Sequence, residues 1–149
     1  MTATFQRELY RDVIEELKPL LLLHWKEIAL DQDTIPLEPM YDEYQRLEDI
    51  GILNMFTMRV DGKIQGYIVG FIKRHLHYQS LLYYANDIYF VSPDFRGVNS
   101  MRFFKAFEKH LKELDVQQIV MYTKQHKSVQ PFLEHLGYSA VDIVMKKNI

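Results

Sequence analysis

At 149 residues, 48% apolar and 26% charged, the chain has the composition of an ordinary soluble globule and the length of one domain with its own core. Its net charge of −2 gives no field that would point to nucleic acid or an anionic membrane as partner. The absence of cysteine excludes disulfides, thiolate nucleophiles and cysteine-based zinc sites, and fits a reducing compartment.

MTATFQRELY at the start has no basic stretch leading into an apolar core, and the longest apolar run, Leu20–Leu23, falls far short of the ~20 residues of a membrane span. A cytoplasmic protein is expected, with neither membrane nor nucleic acid as partner. Residues 3–9 suit a short first strand. From Asp12 to Leu30 the period is helical, with Val13, Leu17, Leu20, Leu21, His24 and Ile28 near one face. Pro19 lies inside it and predicts a kink, or two helices end to end. Residues 31–39 form a polar loop with two prolines, and Tyr41–Asp49 a second helix ended near Gly51.

Ile52–Val60 and Lys63–Lys73 read as two strands around Asp61-Gly62, a pair that fits the type I′ turn of a two-residue hairpin. Gly66 and Gly70 share a face of the second strand, where either a tightly packed helix or a bound cofactor would need the clearance. His75-Leu76-His77-Tyr78 links into the next strand, which ends in the β-branched and aromatic run Ile88-Tyr89-Phe90-Val91.

Ser92-Pro93-Asp94 stops that strand, and Asn99 or Ser100 is a good helix cap. Phe103, Phe104, Phe107, Leu111 and Leu114 then recur at three- and four-residue steps, an amphipathic helix of about four turns. Val116–Thr123 reads as a strand, Ser128–Leu136 as a helix capped by Ser128 and closed by Gly137, and Tyr138–Met145 as a last strand. The order β-α-α-β-β-β-α-β-α-β predicts an α/β domain on a mixed, mostly antiparallel sheet flanked by helices. No repeat or linker divides it, so 1–149 is read as a single domain.

A helix that starts directly after a buried strand offers unpaired N–H groups and the positive end of a dipole, a setting suited to phosphate. Arg96 and Arg102 bracket that start. The run from Ile88 to Gly97, with FVSPDFRG inside it, resembles the strand-and-loop signature of the Gcn5-related N-acetyltransferases (GNAT). HWKEIALDQDTIPLEP, HLHY and HKSVQPFLEHLGY extend the likeness over nearly the whole chain, and resemble the compact acetyltransferases of tailed phages.

The resemblance implies the GNAT fold, in which the fourth and fifth strands splay apart, and acetyl-coenzyme A as co-substrate. It places backbone amides of Phe90 and Val91 at the thioester and pantetheine arm, and the turn Arg96, Gly97, Val98, Asn99, Ser100, Met101 and Arg102 at the diphosphate. The family pattern departs here in one respect: Asn99 and Met101 stand where small residues are usual. The tyrosine expected four residues before the glycine of the last helix is also absent. Leu133 occupies its place, and Phe132 beside it is carried over as a cofactor contact. Tyr122, Tyr138 or water would have to protonate the departing thiolate.

Acetyl transfer further needs a base that leaves the amine neutral. Asp87, near the aromatic Tyr84 and Tyr89, and His77 are the catalytic candidates. His24 and Glu27, three apart on the first helix, and His75 with Tyr78 are the acceptor-binding candidates. Two histidines spaced i, i+2 with no third ligand do not make a metal site, and no metal is expected. The expected function is acetyl transfer to a primary amine, small or protein-borne. A non-catalytic acyl-CoA-binding or interaction module stays open beside it, as does pairing with a second copy as a homodimer.

Overall fold

The computed structural model describes residues 2–149. Five strands form one sheet in the order β1 (Ala3–Arg7), β2 (Leu53–Val60), β3 (Lys63–Arg74), β4 (Leu82–Val91) and β5 (Gln118–Val120). The first three pairings are antiparallel and β4–β5 is parallel. Helices α1 (Tyr10–Ile28) and α2 (Tyr41–Asp49) pack on one face; α3 (Val98–Glu113) and α4 (Gln130–His135) pack on the other. The mixed, mostly antiparallel sheet flanked by helices is the predicted fold class.

The Asp61-Gly62 turn adopts positive φ at both residues, 50° and 80°, as a type I′ hairpin requires. Because helices cover both faces, β2 is buried almost throughout, the polar Asn54 and Thr57 included. One core layer joins Phe56, Met58, Ile68 and Tyr84 to Phe103, Phe107 and Leu111 of α3. The other joins Met55, Tyr67, Val69 and Phe90 to Tyr10, Val13 and Leu17 of α1.

Gly66 and Gly70 face the α3 layer, and what fills their clearance is protein. A Cβ on Gly66 would stand 3.2 Å from the Phe103 ring; one on Gly70 would run into the Ala85 carbonyl and the Tyr84 ring. Pro19 lies within a single helix rather than between two. It sits on the exposed side, where the carbonyl left without a donor meets water.

Three expectations are corrected. Helix α3 begins at Val98 with Gly97 as its N-cap, ahead of Asn99 and Ser100, because Gly97 adopts φ 89° and ψ −124° and turns the chain there. The strand predicted over Val116–Thr123 shrinks to Gln118–Val120 as the chain diverges from β4. Tyr138–Met145 forms no strand: Tyr138 packs against the α3 layer, but Val141, Ile143, Val144 and Met145 have nothing to bury against and are 80%, 77%, 74% and 87% exposed. Apolar residues specify a strand only where a second surface covers one face.

Candidate active site

The site begins with an irregularity in β4. Val69 pairs with Ile88 while Gly70 pairs with Asn86, so Asp87 is the extra residue of a β-bulge. The bulge turns two sequence neighbours to the same face. Ile88 packs in the α1 layer, and the Asp87 carboxylate accepts a hydrogen bond from the Tyr44 hydroxyl of α2.

On its other edge β4 pairs with β5 only from Tyr83 to Ala85. Beyond that the two chains part, and the fork is braced by polar groups. The Tyr122 N–H donates to Asn86 Oδ1 at 2.5 Å, and the Tyr89 hydroxyl donates to the Tyr122 carbonyl at 2.9 Å. From Asp87 to Val91, β4 therefore presents one backbone edge with no described strand beside it.

The strand runs out into a 3-10 turn at Pro93–Phe95 and then into the start of α3. No side chain caps that helix, so its first amides, at Val98, Asn99 and Ser100, keep the unpaired donors of a helix N-terminus. Val98 is 76% exposed and no heavy atom lies within 4 Å of where a Cβ on Gly97 would sit. Met101 is half-buried and donates its N–H to the Gly97 carbonyl as part of the helix.

Arg96 is engaged with protein groups. Its Nε donates to the Val91 carbonyl at 2.8 Å, its Nη2 to Glu27 Oε2 at 2.8 Å, and its guanidinium lies over the Phe90 ring. Hydrogen bonding from Arg96 holds the Glu27 carboxyl below the usual glutamate range. The pair ties the end of β4 to α1. Arg102 lies over the Phe5 ring of β1, and Phe132 packs edge-on against Phe104 at 5.1 Å.

On the α1 side of the sheet a cavity of about 340 Å³ opens between α1, the 29–41 segment, α2 and the strands. Tyr44 and Ile88 line it, which sets Asp87 at its border. His24 and Tyr67 form its floor, with Nδ1 and the hydroxyl 2.7 Å apart. Burial lowers the His24 pKa to about 4, so the imidazole is neutral at neutral pH, and burial raises that of the Tyr67 phenol. His24 also stacks on Phe90, centroids 5.1 Å apart.

His75, His77 and Tyr78 group at the β3–β4 hairpin, where the His75 ring lies 5.7 Å from His77 and 4.8 Å from Tyr78. His77 and Tyr78 are exposed, and the His77 N–H donates to His75 Nδ1. Residues 82–86 of β4 separate this group from Asp87, roughly 16 Å at about 3.3 Å per strand residue. The structure thus gathers Asp87, Phe90, His24, Glu27 and Arg96 along β4 and α1, and leaves the hairpin trio apart. Asp87 is exposed rather than enclosed by Tyr84 and Tyr89.

No family model matches the sequence, and no curated protein matches it either. Solved structures do match the fold end to end. Ribosomal-protein-alanine N-acetyltransferase from Brucella melitensis biovar Abortus superposes with a TM-score of 0.71 at 17% identity, over 100% of this chain and 99% of that one. Glucosamine-6-phosphate N-acetyltransferase from Arabidopsis thaliana gives 0.70 at 15% identity, over 99% of each chain. An aminoglycoside N-acetyltransferase in complex with CoA gives 0.70 at 14% identity, over 98% of each.

The chain has the GNAT fold.

Within this GNAT fold, Tyr67 and Asn86 are site residues that sequence reasoning did not single out. Asn86 had a signal. Asn and Asp are depleted in strands, so the pair Asn86-Asp87 inside a β-branched and aromatic run marks the bulge at which the fork opens. Tyr67 had none, since its partner His24 is remote in sequence.

Proposed function

We propose that this chain is an N-acetyltransferase that moves an acetyl group from acetyl-CoA to a primary amine. The single observation that carries the reading is the β4 edge from Asp87 to Phe90, with no described strand beside it, followed by the turn at Pro93–Phe95 and the uncapped start of α3. A nucleotide thioester is long, with a diphosphate at one end and an amide-bearing arm running to the sulfur. A strand edge suits the arm and helix-start amides suit the diphosphate.

The roles follow. Amides of Val98, Asn99 and Ser100 meet the diphosphate, with room left by Gly97. Arg96 acts through position: joined to Glu27 and the Val91 carbonyl, it holds the turn against α1. Amides near Phe90 and Val91 face the arm and the thioester carbonyl, whose oxygen gains charge as the amine attacks. Asp87, held by Tyr44 at the cavity border, takes a proton from the incoming ammonium directly or through water. His24, neutral and weakly basic, lines the acceptor side.

The amine nitrogen then bonds to the carbonyl carbon, the carbon–sulfur bond breaks, and the thiolate takes a proton from solvent or from the exposed Tyr122 at the fork. An ammonium and an acetyl thioester become an acetamide, free CoA and one released proton. That the fold is shared with enzymes named for alanine on ribosomal protein, glucosamine-6-phosphate and aminoglycosides supports amine acetylation without naming the acceptor.

Free-thiol release from acetyl-CoA over a panel of amines tests the reading. Asp87→Asn is expected to lower kcat at least tenfold while the affinity for acetyl-CoA stays within about twofold. Equal loss of affinity in that variant would remove Asp87 from the chemistry. Absence of thiol release with every amine, despite acetyl-CoA binding, would leave the non-catalytic binding module.

A further inference from the structure

The cavity beside Asp87 has walls that select among amines. Ile14, Leu21 and Trp25 come from α1, Leu37 from the connecting segment, Tyr44 from α2 and Ile88 from β4. Among the described residues its charged lining is Glu38 and Lys124, one of each sign. A polyamine or amino sugar would bring several ammoniums or hydroxyls against aliphatic and aromatic walls, and groups buried without partners oppose binding. The volume of about 340 Å³ lies at the small end of ligand pockets, which run from about 300 to 1,000 Å³.

We infer that the acceptor is a small primary amine carrying one ammonium on an apolar, aromatic body, with the ring seated in this cavity and the nitrogen at Asp87. The inference deepens the acetyltransferase reading and rests on it. The ring supplies dispersion contacts and loses water against Leu21, Trp25 and Leu37, while the single charge stays at the open border, where Asp87 is exposed. The transfer remains balanced as above: one acetyl group leaves sulfur for nitrogen, and one proton leaves the ammonium.

Trp25 is the single tryptophan of the chain, so its fluorescence reports on the cavity alone. The full chain is titrated with 2-phenylethylamine and, separately, with spermidine. A saturable change with 2-phenylethylamine, with a Kd at least tenfold below that for spermidine, is expected. Leu37→Glu, at a mouth residue 38% exposed, is expected to weaken 2-phenylethylamine at least tenfold with an unchanged circular dichroism spectrum. Spermidine binding as tightly as the aromatic amine, or indifference of 2-phenylethylamine to Leu37→Glu, would overturn the inference.

Thiol release from acetyl-CoA with the same two amines separates the two levels. Preferred turnover of 2-phenylethylamine supports both. Preferred turnover of spermidine keeps the acetyltransferase and overturns the aromatic acceptor. Selective binding of 2-phenylethylamine with no turnover of either overturns the acceptor inference, while the enzymatic reading falls only if the whole amine panel releases no thiol.

Discussion

His24 is neutral because α1 carries it onto the sheet, against Tyr67 and Phe90, where a cation would lose its water. Its folded pKa of about 4 lies below the ordinary value of 6.5, so the unfolded chain binds the proton more readily. Its contribution to stability is complete above pH 6.5 and is lost as pH falls toward 4, about 3 kcal/mol in all. Urea midpoints taken between pH 7 and 4 should therefore fall more steeply for the wild type than for His24→Asn. Glu27 has the same sign for a different reason. Its carboxyl is depressed by Arg96, so that pair stabilises above pH 4.5 and fades as pH drops further. Because the two partners are 31% and 43% exposed, it is worth less than about 1 kcal/mol. Gly70 shows the opposite limit, steric rather than ionic. Gly70→Ala would force a methyl into the Ala85 carbonyl and the buried Tyr84 ring, and should destabilise by about 1–3 kcal/mol in denaturant unfolding. Gly66 and Gly70 were legible in the sequence as points of close approach, but which group approaches depends on Phe103 and Tyr84, which local pattern does not place.

Among elements, the junction of β4 and α3 carries the proposed cofactor contacts. Gly97 sits at φ 89° and ψ −124°, a region closed to side-chain-bearing residues, and its conformation sets where the helix begins. Gly97→Ala should cost about 1–3 kcal/mol and weaken acetyl-CoA at least tenfold, read by calorimetric titration. Asn99→Ala removes no backbone amide and should alter that affinity far less. The amphipathic pattern of α3 identified the helix from Phe103 onward, whereas its first turn was placed too late. Asn and Ser are favoured caps, yet a glycine with the required dihedrals took the position. The C-terminal segment failed in another way: it is rich in apolar and β-branched residues, and no surface was present to bury them.

Across the whole molecule, two apolar layers hold the sheet between α1 and α2 on one face and α3 and α4 on the other. The fork and the cavity lie where that packing is interrupted, one at the parted edge of β4 and one under α1. A ligand bridging the fork and the turn stabilises only the folded chain. Acetyl-CoA at a hundredfold excess over its Kd should add about 2.7 kcal/mol, seen as a rise in Tm in a thermal shift. No shift at millimolar acetyl-CoA would remove both the enzyme and the acyl-CoA-binding module.

The sequence by itself determined the helices and strands up to α3, the Asp61-Gly62 turn and the fold class, because these rest on periodicity and turn chemistry within short windows. Tertiary structure alone decided that Asp87 meets Tyr44, that Arg96 is held by Glu27, that His24 is kept neutral over Tyr67, and that an apolar cavity stands beside them. Each of those depends on residues more than forty positions apart meeting across the sheet, and on how much water that meeting leaves behind.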